Sequence, residues 1–124
     1  MNVRDMMRRS AVYHKDLTAI IAGNARLTFG EAWERGLRMA NLLRSFGLQP
    51  GDCVGALEDN SLEAVDFFLG TVIAGLVRVP LYARNARASH HAMLENTACK
   101  ALVVSEKYAD HVEGLNQEID SLEH

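Results

Sequence analysis

The hydrophobic pattern is densest from Asn60 to Leu81, NSLEAVDFFLGTVIAGLVRVPL. Asn60 followed three residues later by Glu63 matches a capping box, which sets a side-chain acceptor and an acid at the positive end of a helix. After Asp66 no charge appears until Arg78, and Phe67, Phe68, Leu69, Val72, Ile73 and Leu76 leave no polar face. The pattern predicts a helix covered on most sides. Its apolar run is roughly half the ~20 residues that a membrane span needs, so it reads as a core helix. Gly75 suits the helix C-terminus, and Val77, Val79 and Leu81 then alternate as a strand that Pro80 confines to its last positions.

The rest of the chain supplies shorter elements with clear boundaries. Asn2 and Asp5 can cap a helix in which Val3, Met6, Met7, Ser10 and Ala11 share a face and Arg4, Arg8 and Arg9 point to solvent. Thr18 to Ala22 and Ala25 to Leu27 read as a hairpin turned by Gly23-Asn24. Thr28 and Glu31 cap the next helix, with Trp33, Leu37, Ala40 and Leu43 as its buried stripe. On its outer side Glu31 with Arg35, and Glu34 with Arg38, stand one turn apart, and Gly47 closes it. Pro50-Gly51 has the residue order of a type II turn leading into Cys53 to Glu58, a nearly continuous apolar strand in which Gly55 signals close approach by a neighbouring backbone. Positions 86, 90, 93, 94 and 97 fall on one helical face, and Lys100 to Ser105 is another compact strand. Ser105 can cap a final helix with Tyr108, Val112, Leu115, Ile119 and Leu122 as a stripe that needs a partner surface.

Strand and helix alternate from residue 53 onward, which predicts an α/β fold: a parallel sheet with helices on its faces, plus the short amino-terminal hairpin. The length is that of one domain with one core, and no repeat or linker interrupts it. Thirteen basic residues are dispersed among sixteen acidic ones for a net charge of −3, so no basic face for nucleic acid or anionic membrane is expected. Cys53 and Cys99 are far apart and outside any CxxC, and no secretory leader pattern opens the chain. A reducing cytoplasm is the expected compartment. Leu122-Glu123-His124 reads equally as native sequence or as the scar of a histidine tag on an excised piece.

Candidate chemistry is sparse. Gly70 and Gly75 have the outer spacing of a phosphate loop, but Leu76-Val77 stand where Lys and Ser/Thr are required, so both read as helix-packing glycines. Glu58 and Asp59 lie at the carboxyl end of a parallel strand, where open sheets place ligands and where paired acids could hold Mg²⁺. A charged strand end leading into the Asn60 cap is the favoured account, because no second acidic cluster or nearby Lys completes a site. His90 and His91 point about 100° apart on a helix and cannot share one metal, so His90 reads as a partly buried, hydrogen-bonded residue. Both cysteines read as small apolar side chains, and no serine sits in a G-x-S-x-G elbow.

Taken in order, Thr28-Phe29, Leu48 with Gly51-Asp52, Asn60, then Gly75, Val77, Val79, Pro80 and Leu81, and Arg84 resemble the amino-terminal region of acyl-CoA synthetases of the adenylate-forming superfamily. The resemblance covers most of the chain. Tyr82-Ala83 departs from the family's frequent Asn-Pro, and His90-His91 stands where acidic or apolar residues are usual. The resemblance implies a parent enzyme that uses ATP and Mg²⁺ to make an acyl-adenylate and then passes the acyl group to coenzyme A. The family's phosphate loop, its later adenylate and ribose motifs, and its mobile carboxy-terminal domain with the adenylating Lys are not in these residues. Residues 1–124 are therefore expected to be a partial amino-terminal domain that is catalytically inactive alone, with no catalytic, cofactor-binding or metal residue assigned. Its expected partners are the remainder of the parent chain and, through exposed apolar surface, a second copy. The alternative is a stand-alone α/β binding or regulatory module using the Glu58/Asp59 strand end. An excised piece should bind a hydrophobic dye strongly or form concentration-dependent dimers, whereas a dye-silent monomer that binds Mg²⁺ or a nucleotide would favour the module.

Overall fold

The computed structural model describes all 124 residues, Met1 to His124. They form two compact units, Met1–Gly47 with Asn60–Gly75, and Leu48–Asp59 with Leu76–His124. A reading of one continuous core misses this division because the chain passes between the units at 47/48, 59/60 and 75/76, and none of those points carries a linker composition.

The first unit contains helix α1 (Val3–Tyr13), the antiparallel hairpin of β1 (Thr18–Ala22) and β2 (Ala25–Thr28), and helices α2 (Phe29–Ser45) and α3 (Leu62–Ala74). Asn2 caps α1 by accepting from the Asp5 N–H at 2.9 Å. Thr28 caps α2, and Glu31 reaches back to accept from the Thr28 N–H at 2.8 Å. Glu31 is thereby engaged at the cap, and the pairing expected with Arg35 is replaced by a two-pronged ion pair between Arg35 and Asp66 of α3, at 2.8 and 2.6 Å.

Helix α3 starts one residue later than the Asn60 pattern suggests. Ser61 is its cap, accepting from the Ala64 N–H at 3.1 Å. Asn and Ser are near-equivalent acceptors at this position, so local sequence leaves the choice to the fold. Gly75 closes the helix in the left-handed region, φ 75°. The helix is less enclosed than its composition implies: Phe67, Gly70, Thr71, Ile73 and Ala74 are buried, but Phe68 is 46% exposed. The face that meets α2 is closely packed. There a Cβ on Gly70 would lie 2.3 Å from Met39 Cγ, and one on Gly36 would lie 2.9 Å from Leu69 Cβ and from Ile73 Cδ1. This close approach selects small residues. The buried stripe of α2 is Ala32, Gly36, Ala40 and Leu43, while Trp33 and Leu37 lie half-buried beside it.

The second unit is a parallel sheet in the order β4 (Val77–Pro80), β3 (Cys53–Leu57), β5 (Ala101–Val104), with helix α4 (Arg87–Asn96). The Gln49–Asp52 turn has Gly51 at φ 91° and an Asp52 N–H donating to the Gln49 carbonyl at 3.0 Å, as the Pro-Gly order predicts. In β3, Val54, Gly55, Ala56 and Leu57 are all buried, and the strand is bonded on both edges. What crowds Gly55 is side chain rather than backbone: a Cβ there would meet Leu94 Cδ2 at 2.6 Å and Leu102 Cδ1 at 3.0 Å, with the Ala101 carbonyl at 3.7 Å.

The final helix is broken. A 3₁₀ turn (Glu106–Tyr108) runs into the short helices α5 (Ala109–Val112) and α6 (Leu115–Glu118), with Gly114 at φ 78° between them, and Ser105 makes no side-chain cap bond. The stripe survives the break. Leu115, Ile119 and Leu122 join Leu57, Val79, Leu81, Leu94 and Cys99 in this unit's core, and Tyr108 and Val112 pack against it. The surface the stripe needs is thus within its own unit. Beyond it, the His124 N–H donates to the Lys100 carbonyl and the Leu102 N–H donates to the His124 carbonyl, which extends the hydrogen bonding along the free edge of β5.

The α2–α3 contact at Gly70 is directly testable. Gly70→Ala is expected to cost about 1–3 kcal/mol in urea unfolding, because Met39 must leave its position and the backbone N of Ala40, 3.1 Å from the new methyl, cannot yield easily. An unchanged midpoint would mean the helices have slack there.

Candidate functional site

In a parallel sheet the strands end side by side, so the turns after β3, β4 and β5 meet at one edge, where open α/β sheets place ligands. The turn after β3 carries Glu58 and Asp59, and the segment after β5 carries Lys107 and Tyr108. Because β3 and β5 are neighbours, residues far apart in sequence are brought together. The Tyr108 hydroxyl donates to Asp59 Oδ1 at 2.5 Å, and the Lys107 ammonium pairs with Asp59 Oδ2. Lys107 also stands over the Tyr108 ring at 4.9 Å. Glu58 is almost enclosed, its side chain 8% exposed, and pairs with Arg78 Nη2 at 2.7 Å.

A search along the sequence for a nearby Lys beside these acids fails, yet the fold supplies one. The signal was available only through strand order: two turns that follow adjacent parallel strands must meet. Lys107 first, then Tyr108, hold the Asp59 carboxyl below the usual carboxylate range, against a smaller opposing effect of desolvation. The same contacts raise the Lys107 ammonium. At the opposite end of β3, Asp52 accepts from the Gln49 N–H at 2.8 Å and pairs with Lys100 at 2.9 Å. The Gln49 hydrogen bond, then Lys100, lower its pKa.

These pairs decide what the edge can do. Both oxygens of Asp59 are engaged and Glu58 is held by an arginine, so the pair does not fit a Mg²⁺ ion, which needs several free oxygen donors in octahedral array. No group of three or more His, Cys, Asp or Glu is placed to hold a metal. His90 and His91 diverge as their spacing requires. His91 is half-buried, 3.9 Å from Glu95 and 3.8 Å from Glu118, whereas His90 is wholly buried and, contrary to expectation, neither ring nitrogen has a hydrogen-bond partner. The α4 stripe carries this imidazole inward to a place where neither nitrogen meets a donor or acceptor within hydrogen-bonding distance. Cys99 is buried beside Thr97, whose hydroxyl is 3.2 Å from the sulfur, and burial pushes its thiol pKa up, away from nucleophilic reactivity. Cys53 is free and half-buried.

The first unit offers a different feature, an open groove of about 450 Å³ lined by Met6, Met7, Ile20, Trp33, Phe68 and Leu69 among others. It is largely apolar and has no charged side chain in its lining.

Comparison with known proteins places this arrangement in a wider frame. The family model described as AMP-binding enzyme matches residues 7–124. The medium/long-chain-fatty-acid–CoA/3-oxocholest-4-en-26-oate–CoA ligase of Mycolicibacterium smegmatis is 31% identical over 112 residues, which cover 90% of this chain and 20% of that protein. A linear gramicidin synthase of Brevibacillus parabrevis is 37% identical over 79 residues, 64% of this chain and 2% of that protein. The crystal structure of an anthranilate CoA ligase in complex with anthranoyl-AMP matches with a TM-score of 0.92, covering 100% of this chain and 24% of that one. At 24% identity this last match shows a shared fold. The chain spans 20% of the length of the curated ligase it matches.

The electrostatics of Asp59 can be read by carboxyl NMR titration. Its pKa is expected below that of an exposed aspartate, to rise most in Lys107→Met and less in Tyr108→Phe. With a depressed folded value, any stability from this contact is present above the ordinary aspartate range and is lost as the pH falls through the folded value. An ordinary titration in the unsubstituted protein would mean the pair does not persist in solution.

Proposed function

We propose a role for this chain from one established premise, that it belongs to the family of AMP-binding enzymes. Residues 1–124 form the amino-terminal scaffold of an ATP-dependent carboxylate–CoA ligase, one that joins a carboxylate to AMP with release of pyrophosphate and then transfers the acyl group to coenzyme A. The chain alone does not adenylate. One observation carries this reading: at the edge where open sheets place ligands, Glu58 is paired with Arg78, and Asp59 with Lys107 and the Tyr108 hydroxyl, all of the same unit, so these acids serve the fold. ATP, Mg²⁺ and coenzyme A belong to the parent enzyme. No Gly-rich phosphate loop or metal-binding set in these residues fits them.

The proposed partner is the rest of the parent chain, with self-association as the behaviour of these residues in isolation. The open apolar groove of the first unit and exposed Phe68 and Val77 support that expectation. We place the protein in the cytoplasm, in keeping with its two free cysteines; no helix is long and apolar enough to cross a membrane. The competing reading, a stand-alone binding module, depends on Asp59 exchanging Lys107 for a ligand.

Pyrophosphate exchange with a panel of carboxylates tests this. The chain alone is expected to give no carboxylate-dependent exchange, while a chimera carrying it in place of the matched segment of the M. smegmatis ligase retains fatty-acid-dependent exchange. Robust exchange by the chain alone, or a folded but dead chimera, would overturn the proposal. Binding of Mg²⁺ or a nucleotide by the chain alone, lost in Asp59→Asn, would favour the module instead.

A further inference from the structure

His90 is a titratable group in an apolar core with nothing to hold a proton's charge. It has no solvent exposure, and its Nδ1 and Nε2 are both without hydrogen-bond partners. Leu94, one turn along α4 and on the same face, is equally buried. The titratable group that faces His90 is the half-buried ring of His111 on α5, with centroids 6.1 Å apart and planes at 36°. Tyr108 lies edge-on to His111 at 5.6 Å. The charged groups of α4 and α6 are engaged elsewhere: Arg87 donates to Glu118 at 2.8 and 3.2 Å and to the Glu113 carbonyl at 2.8 Å, and His91 lies between Glu95 and Glu118. No carboxylate is paired with His90 or His111.

We propose that the His90–His111 pair makes the second unit acid-labile: an imidazolium at His90 has neither solvent, acceptor nor counter-ion, so protonation displaces α4 and α5 from the core they cover. Two facing imidazoles reinforce this, since a proton on His111 repels one on His90. The geometry and the titration agree in direction. Burial first, and His111 second, depress His90 below its ordinary value. The unfolded chain takes up the proton more readily, so the stability from keeping His90 neutral is complete above about pH 6.5 and is lost as the pH falls from there through the lower folded value. One such proton reduces the ratio of folded to unfolded protein by up to about tenfold per pH unit in that window.

Urea unfolding of the full chain from about pH 8 to about pH 5, followed by circular dichroism, tests the proposal across the range in which imidazoles titrate. The unsubstituted protein should lose stability below about pH 6.5 with a slope approaching that of one proton, and His90→Met, close in volume and without a titrating group, should flatten it. An equal slope in His90→Met overturns the idea. Should that variant fail to fold, ring-proton NMR of the unsubstituted protein decides the matter. A His90 signal that stays neutral until well below pH 6.5 and then vanishes with unfolding supports the proposal, whereas reversible titration near about 6.5 within the folded state overturns it.

Discussion

The second unit depends on a missing side chain. Gly55 sits in the middle of β3, a strand bonded on both edges and buried on both faces, and the space its Cβ would fill is taken by Leu94 of α4 and Leu102 of β5. A methyl there would sit 2.6 Å from Leu94 Cδ2, far inside any real contact. That approach sets how closely α4 lies on the sheet. His90, one turn before Leu94 on the same face, is thereby carried into the core. The first unit uses the same device between helices, where Gly36 and Gly70 admit Leu69, Ile73 and Met39. In each case dense packing requires the absence of a side chain at a position where an apolar one would raise hydrophobicity.

Burial at this density leaves polar groups with few options, and the structure handles them in two ways. At the ends of β3 three acids find cations: Glu58 with Arg78, Asp59 with Lys107, and Asp52 with Lys100 at the other end of the strand. Such pairs contribute modestly to stability where solvent reaches them, and their main effect is to fix the ends of β3. In the core, His90 has no such partner. Imidazole tolerates that position because it is neutral at ordinary pH, which a carboxylate or an ammonium would not be.

The family relationship runs over nearly the whole chain, while these residues span 20% of the length of a curated relative. Order in the chain and order in space differ here. Residues 48–59 and 76–124 build the sheet, and the intervening Asn60–Gly75 belongs to the other unit.

Local chemistry made much of this legible. The Asn2 and Thr28 capping boxes, the Gly23 hairpin, the Gly51 turn, the Gly75 helix end and the alternation of strands and helices each rest on interactions within a few residues, so the sequence alone determines them. Other features were settled by residues distant in the chain. The α2 stripe moved from Trp33 and Leu37 to Ala32 and Gly36 because α3 comes too close for large side chains. Arg35 left Glu31 for Asp66, and Asp59 met Lys107 and Tyr108, because strand order and helix pairing decide which charges become neighbours. His90 lost the hydrogen bond expected of it for the same reason. Periodicity says which face of a helix turns inward, but only the assembled core says whether a proton donor or acceptor is waiting there.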